Sequence, residues 1–124
     1  MKRIVLVDDD TNLLKIYEFF LTKEGYEVNT CEDARTALQF ISDEKQVDLF
    51  ILDVELPDMS GLELMEQIRE IKRYAQVPII INSAYEQYKG DFTSWLASDY
   101  MVKQSDLSGL QAKVRSILEE QKSK

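Results

Sequence analysis

The chain has 124 residues, a length that suits one domain of ordinary size and not two. Hydrophobic residues (44%) and charged residues (31%) are in globular proportion, and no apolar run approaches the roughly 20 residues that a membrane-spanning helix needs. The 15 Lys and Arg residues against 23 Asp and Glu residues give a net charge of −8, which disfavours direct binding to nucleic acid. We therefore expect proteins or metal ions as partners.

Histidine is absent from the chain and cysteine occurs once. The lack of histidine excludes histidine-dependent nucleophilic catalysis, a histidine-ligated zinc site and a phosphohistidine on this chain. A single Cys31 cannot form an internal disulfide and is expected to be a small apolar residue at a strand end. The start, MKRIVLV, enters a strand pattern directly and lacks a secretory signal, so we expect a cytoplasmic protein that does not contact a membrane.

Apolar runs of strand length alternate with helical periodicity from the first residues onward. The first strand is predicted at Arg3–Val7, and a helix follows from Thr11 to Glu24, with Gly25 as its C-terminal stop. A short second strand is predicted at Glu27–Thr30. The apolar stripe predicted for the first helix is Leu13, Ile16, Tyr17 and Phe20.

The middle of the chain continues this alternation. Asp33 can cap a second helix that ends near Ser42, and the third strand is predicted at Asp48–Leu52. The tetrapeptide SGLE, Ser60–Glu63, has the spacing of a capping box and opens a third helix. The residues predicted to be buried by these two helices are Ala34, Ala37, Leu38 and Ile41, then Leu64, Met65, Ile68 and Ile71.

The last third of the chain completes the pattern with one weak element. The fourth strand is predicted at Val77–Asn82, and the helix predicted at Tyr85–Leu96 is weak because Gly90 and Thr93 lower its helix propensity. The fifth strand is predicted at Asp99–Val102. The apolar stripe of the final helix is Leu107, Leu110, Val114, Ile117 and Leu118. This order predicts an α/β fold, a doubly wound five-stranded parallel sheet with helices on both faces.

Polar residues follow four of the predicted strands at the point where each strand ends. They are Asp8, Asp9 and Asp10 after the first, Asp53 after the third, Ser83 after the fourth and Lys103 after the fifth. Because ligands of an open parallel sheet bind beyond the carboxyl ends of its strands, we expect these side chains on one rim. Adjacent aspartates repel one another, so a positive group should lie among them. Carboxylates suit Mg²⁺, which shares its remaining positions with phosphate oxygens, and Asp53 would then be a nucleophile that forms an acyl phosphate.

With these residues in this order, the chain resembles a response regulator receiver domain of the CheY-like type over essentially its whole length. The motif positions are Asp8, Asp9, Asp53, Pro57, Gly61, Ser83, Ala84, Tyr100 and Lys103. The resemblance implies a flavodoxin-like sheet of strand order 2-1-3-4-5. It also implies that residues 1–124 form a single receiver domain, with no output domain in this chain.

The resemblance further implies a role for each matching residue. Asp53 is the expected phosphoacceptor, Asp9 a direct Mg²⁺ ligand, and Asp8 an acid that acts mostly through water. Asp53 also touches the metal, and the backbone carbonyl of Glu55 completes its coordination. Ser83 and Tyr100 are the expected switch residues, and Lys103 faces the phosphoryl group. Asp10 falls outside the family's acid pair, and we interpret it as a favourable charge at the N-terminus of the first helix.

The function implied is that of a phosphoacceptor in two-component signalling. A histidine kinase or a histidine phosphotransfer protein would supply the phosphoryl group, with Mg²⁺ as cofactor. A downstream protein would then recognise a changed face formed by the predicted fourth helix, fifth strand and fifth helix. Such a protein catalyses only its own phosphorylation and slow hydrolysis, which Glu55 and Tyr85 would tune, and is not an enzyme in the turnover sense.

Two departures from the family pattern and two further hypotheses accompany this interpretation. Gln104 follows Lys103 where the family usually has Pro, and Leu96 stands where Gly is common.

A phosphohydrolase of the haloacid dehalogenase type would use Asp8 as nucleophile, with Asp10 completing a DxD pair, but that family needs a further acid pair and normally a longer chain. A degenerate receiver that only binds partners is the other hypothesis.

Overall fold

The computed structural model describes residues 1–43, 45–84, 97, 99–103 and 107–122, and it describes residues 120–122 as backbone only. The elements within these residues are strand β1 (Arg3–Val7), helix α1 (Thr11–Lys23), β2 (Glu27–Cys31), α2 (Ala34–Ile41), β3 (Leu49–Leu52), α3 (Gly61–Glu70), a 3-10 turn (Lys72–Tyr74), β4 (Ile79–Ser83), β5 (Asp99–Val102) and α4 (Ser108–Lys122). The helix predicted at Tyr85–Leu96, with Leu96 itself, and Gln104 lie outside the described residues. No helix in the described part of the chain is long and apolar enough to cross a membrane.

The five strands form one parallel sheet in the order β2-β1-β3-β4-β5, so the predicted α/β fold and strand order are confirmed. The chain moves outward from β1 to β2 and then returns to the other side of β1 to form β3. In the register of this central pair, Val7 lies opposite Leu52. The next residue of each strand is an aspartate, so the sheet itself brings Asp8 and Asp53 side by side.

The sheet is covered on both faces, which explains why its strands have almost continuous apolar sequences. One face packs against α2 and α3, and its buried strand residues include Val5, Phe50 and Ile81. The other face packs against α1 and α4 through the alternate residues, such as Leu6 and Ile80. The helices on both faces keep the strand ends fixed, and this holds in place the polar residues that follow the strands.

Helix α1 buries a different stripe from the predicted one. Leu14, Tyr17 and Leu21 are buried, whereas Ile16 is 49% exposed and Phe20 is 41% exposed. Leu13 is half-buried. Apolar side chains cover more than half of the circumference of this helix, so two different stripes have helical spacing. Packing against the sheet decides which of the two is buried. The other predicted stripes hold with small changes, because Leu38, Leu107 and Ile117 are only partly buried and Ile71 lies just beyond the end of α3.

Helix α3 begins against the backbone of Asp53. The Ser60 hydroxyl caps the helix by accepting a hydrogen bond from the Leu62 amide, and the Gly61 amide donates to the Val54 carbonyl at 2.7 Å. A methyl group on Gly61 would overlap the carbonyl oxygen of Asp53. Glycine is therefore required here for the close approach of two backbone segments.

We expect Gly61→Ala to lower the free energy of unfolding by about 1–3 kcal/mol, because the added methyl group forces the backbone around Asp53 to move. Urea denaturation measures this change. Gly109→Ala is the matched control, since a methyl group there meets only the flexible tip of Met101 at 3.6 Å. That control should not lower stability, because alanine is favoured over glycine by at most about 0.5–1 kcal/mol in a helix and Gly109 lies in its first turn. Equal effects of the two substitutions would contradict the steric argument.

Candidate functional site

A cleft of about 430 Å³ opens at the carboxyl ends of the strands. Its lining residues are Asp9, Asp10, Asp53, Glu55, Leu56, Pro57, Ala84 and Lys103. The cleft therefore lies at the edge of the sheet where ligands of a parallel sheet are expected to bind. Asp8 and Ser83 lie next to the cleft as buried residues.

The positive group expected among the aspartates is Lys103. Its Nζ atom lies 2.6 Å from Asp8 Oδ2 and 3.4 Å from Asp53 Oδ2. Asp8 is 5% exposed and Asp53 is 6% exposed, so both carboxylates have lost most of their water. A buried carboxylate needs a charged or hydrogen-bonding partner, and this ammonium group serves two of them at once.

The three consecutive aspartates have three different surroundings. Asp8 points inward, where Oδ1 accepts a hydrogen bond from the Asp10 amide at 3.0 Å. Asp10 caps helix α1, since its side chain accepts from the amides of Asn12 and Leu13. Asp9 is exposed and lines the cleft. Local helix capping therefore accounts for the third acid, and the first two remain for the site.

The carboxylate oxygens of Asp8, Asp9 and Asp53 form a donor set that fits a hard divalent cation. One oxygen from each residue lies within 4.8 Å of the others. Such a set suits Mg²⁺, which prefers oxygen ligands and is usually held by one or two carboxylates together with waters and phosphate oxygens. Glu55 lines the same cleft two residues after Asp53.

Burial and charge determine the protonation of the two central groups. Burial and the neighbouring Asp8 raise the pKa of Asp53 to about 6, although Lys103 and the Glu55 amide partly offset them. Burial lowers the pKa of Lys103, but its contacts with Asp8 and Asp53 outweigh burial and raise it above its ordinary value. At neutral pH the lysine is therefore charged, and Asp53 is a carboxylate in an unfavourable environment.

The two predicted switch residues, Ser83 and Tyr100, have different surroundings. Ser83 is fully buried at the end of β4, and its backbone carbonyl accepts a hydrogen bond from the Lys103 amide at 2.6 Å. Tyr100 is half-buried on β5 and packs against the core on the side of α2 and α3. The structure thus brings Ser83 beside Lys103, whereas Tyr100 is not among the residues that line the cleft.

Sequence reasoning missed a buried polar pair beneath the site. The side-chain amide of Asn82 donates to the Tyr17 hydroxyl at 3.2 Å, and both residues are almost fully buried. A small cavity of about 10 Å³ is lined by this pair and by Asp8 and Asp53. Asparagine at the end of the apolar run IIIN was the available signal, because a buried amide needs a hydrogen-bond partner.

We expect Asp53→Asn to stabilise the metal-free protein by about 1–3 kcal/mol at pH 8, because it removes a buried charge next to Asp8. The pKa of Asp53 is raised in the folded state to about 6, so its contribution to stability is complete below its unfolded pKa and is lost as the pH rises through about 6. The gain should therefore shrink at pH 5. Urea unfolding in a chelator measures it, with the exposed Asp43→Asn as control. A loss of stability at pH 8 would show that the contact with Lys103 outweighs burial.

Comparison with known proteins agrees with this geometry. Residues 4–115 match the family described as the response regulator receiver domain. Response regulator ArlR from Staphylococcus epidermidis is 37% identical over 128 residues, which cover 100% of this chain and 56% of that protein. The chain thus spans little more than half the length of this relative.

Solved structures give the same result. Response regulator protein TrrA from Thermotoga maritima, in complex with Mg²⁺–BeF, is 41% identical with a TM-score of 0.86, covering 94% of this chain and 99% of that chain. A structure of histidine kinase ThkA in complex with TrrA matches at 40% identity and a TM-score of 0.85, covering 95% and 99%. A CheY-like receiver domain protein from Methanospirillum hungatei matches at 31% identity and a TM-score of 0.89, covering 99% and 98%. Since residues 4–115 match the family and the fold is similar to these structures, the chain belongs to the response regulator receiver domains of two-component signalling.

Proposed function

We propose that this protein accepts a phosphoryl group on Asp53 from a histidine kinase or a histidine phosphotransfer protein and signals through protein contacts. The observation that carries the proposal is a buried carboxylate, Asp53, that faces an open cleft and lies 3.4 Å from the ammonium group of Lys103. Residues 1–124 act together as one receiver domain. In the cell we expect it in the cytoplasm, where such kinases present their phosphohistidines.

The transfer uses Asp53 as a nucleophile. A carboxylate oxygen attacks the phosphorus atom of the donor, the bond from phosphorus to the donor nitrogen breaks, and an acyl phosphate remains on Asp53. Lys103 offsets negative charge on the phosphoryl oxygens, and Ser83 donates a hydrogen bond to one of them. Because burial raises the pKa of Asp53 to about 6, its reactive carboxylate form predominates only above that pH in the metal-free protein.

Asp8, Asp9 and Asp53 are the side chains that would hold Mg²⁺, together with the backbone carbonyl of Glu55. When bound, the ion neutralises phosphoryl oxygens and orients the phosphoryl group for in-line attack. The carboxylate cluster in this chain and the Mg²⁺–BeF complex of the similar protein TrrA support this assignment. The direct role of Asp9 agrees with its exposure in the cleft, whereas Asp8 also contacts Lys103.

Phosphorylation adds close to two negative charges in the cleft, which changes the equilibrium between two conformations of the nearby loops. We assign Ser83 and Tyr100 as the residues that respond. The downstream protein contacts β5, α4 and the segment 85–96. This segment, which includes Tyr85, lies outside the described residues. The chain catalyses its own phosphorylation and slow hydrolysis and turns over no other substrate. A net charge of −8 favours proteins over nucleic acid as its partners.

Helix α1 supplies the surface for the phosphodonor. It starts beside the cleft and exposes three large apolar side chains in helical spacing, Ile16, Phe19 and Phe20. Exposed apolar side chains that cluster in this way indicate a protein interface. The structure of histidine kinase ThkA with TrrA, which is 40% identical in its match to this chain, supports a kinase as the occupant.

The first test is intact-mass spectrometry after incubation with Mg²⁺ and acetyl phosphate. We expect one alkali-labile phosphoryl adduct on the wild type, none on Asp53→Ala, and a normal adduct on Asp43→Ala, which replaces an exposed aspartate after α2 that does not line the cleft. An adduct that survives Asp53→Ala but requires Asp8 would favour the phosphohydrolase mechanism. If neither acetyl phosphate nor a phosphorylated kinase labels the wild type, the degenerate, partner-binding receiver is the better description.

The second test separates docking from chemistry. Phe19→Ser removes an apolar side chain that is 56% exposed, so folding should be little affected. We expect at least about a 10-fold slower transfer from a phosphorylated histidine kinase that labels the wild type, since a hot-spot aromatic at the centre of an interface contributes about 2 kcal/mol or more. Labelling by acetyl phosphate should stay within about twofold, because Asp53 and Lys103 are untouched. Gln39→Ser, on the opposite face of the sheet, is the control, and equal kinase rates for the two variants would rule out α1 as the docking surface.

A further inference from the structure

The connection between β3 and α3, residues 54–60, forms one wall of the cleft. Glu55, Leu56 and Pro57 line the cleft from this connection. Its two ends are tied by the hydrogen bond from the Gly61 amide to the Val54 carbonyl and by an antiparallel bridge between Glu55 and Ser60. These contacts close the loop on itself, and Leu56 and Met59 pack against the core on the side of α2 and α3.

Asp58 adds the polar tie between the tip and helix α2, because its side chain reaches the N-terminus of that helix. Its Oδ1 accepts a hydrogen bond from the Ala34 amide at 3.0 Å, and its Oδ2 accepts from the Arg35 amide at 2.8 Å. The ordinary N-cap of the same helix, Asp33, accepts from the Thr36 amide at 2.8 Å. The first three amides of α2 are thus shared between a local carboxylate and one that is 23 and 24 residues away.

The contact is favourable and well oriented although Asp58 is exposed. Both carboxylate oxygens receive charge-assisted hydrogen bonds, and the positive end of the helix dipole lies at the same place. Desolvation raises the pKa of Asp58, but the backbone amides of Arg35 and Ala34, together with those of Asp58 itself and Met59, outweigh it, so the pKa lies below its ordinary value. The carboxylate therefore stays charged, and the contact intact, throughout the neutral range.

Helix α2 is a firm anchor because its inner side is part of the core. Ala34 and Ala37 are fully buried, and Ile41 is 2% exposed. On the loop side, Pro57 fixes its own backbone and restricts Leu56 to an extended conformation. A stiff stretch of two residues, Leu56 and Pro57, therefore connects the anchored Asp58 to the backbone of Glu55.

We propose that Asp58 is a positioning residue that holds the wall of the cleft against helix α2 and thereby sets the affinity of the site for a divalent cation. The proposal rests on the proposed function only in taking Asp8, Asp9, Asp53 and the Glu55 carbonyl as the cation site. Asp58 itself touches neither the cation nor the phosphoryl group. It acts by keeping the Glu55 backbone at a fixed distance from the three carboxylates.

The experiment compares Asp58→Ala with Asp33→Ala. Each variant removes one negative charge and one cap from the same helix end, but only the first frees the loop. Isothermal titration with MgCl₂ in 0.15 M KCl should show about a 10-fold weaker Mg²⁺ affinity for Asp58→Ala, a usual size for the loss of a residue that supports a metal ligand. Asp33→Ala should bind Mg²⁺ within about twofold of the wild type, because at this ionic strength distant charges are largely screened.

A purely structural role predicts a different result. Urea denaturation should show that both variants lose stability, so stability alone cannot explain a change in Mg²⁺ affinity that is confined to Asp58→Ala. Labelling by acetyl phosphate should need more Mg²⁺ in Asp58→Ala and yet reach the wild-type rate at saturation. Asp58→Asn keeps one acceptor oxygen and should fall between the wild type and Asp58→Ala in affinity.

The proposal is overturned if Asp58→Ala and Asp33→Ala have the same Mg²⁺ affinity, or if Asp58→Asn binds as weakly as Asp58→Ala, since charge alone would then explain the change. Failure of the proposed function gives another pattern. In that case the wild type acquires no adduct from acetyl phosphate or from a kinase, whatever the two variants do to Mg²⁺ affinity. An adduct on wild-type Asp53, together with equal Mg²⁺ affinities of the two variants, rejects the positioning role alone.

Discussion

The ammonium group of Lys103, held between two buried carboxylates, determines how the rim of this sheet is built. Asp8 and Asp53 end neighbouring strands, so their carboxylates lie together as soon as β1 pairs with β3. Lys103 follows β5, which is separated from β3 by β4, and its long side chain must cross the end of β4 to reach them. The β4 strand accordingly ends in the small residue Ser83 and is followed by the small residue Ala84, and the Ser83 carbonyl accepts a hydrogen bond from the Lys103 amide.

Those parts of the fold that depend on local pattern could be predicted from the sequence. Strands β1 and β5 have the predicted bounds, because each is a short apolar run next to polar residues. The caps Asp33 and Ser60 and the stop at Gly25, where φ is 97°, follow from backbone chemistry within a few residues. The edge of the sheet that carries the site followed from topology alone, since parallel strands end together.

The features that the sequence did not reveal all depend on contacts between distant parts of the chain. Helix α1 has apolar residues on more than one side, so its orientation is decided by the sheet and not by its own periodicity. Asp58 has the appearance of an ordinary turn residue after Pro57, and its partners lie 23 and 24 residues earlier. The pair of Asn82 and Tyr17 joins residues separated by 65 positions. No local pattern encodes such separations.

The charges in the cleft explain why a site with three acids can fold and still retain an excess of negative charge. The Asp10 carboxylate is used by the amides of α1, which leaves Asp8, Asp9 and Asp53 as the acids that face one another. Lys103 compensates one of these charges at neutral pH, so among the residues that the structure describes these three acids retain about two negative charges. That excess equals the charge of one divalent cation. A phosphoryl group adds nearly the same excess again, and the field that it creates around Lys103 and Ser83 is what the rest of the domain can respond to.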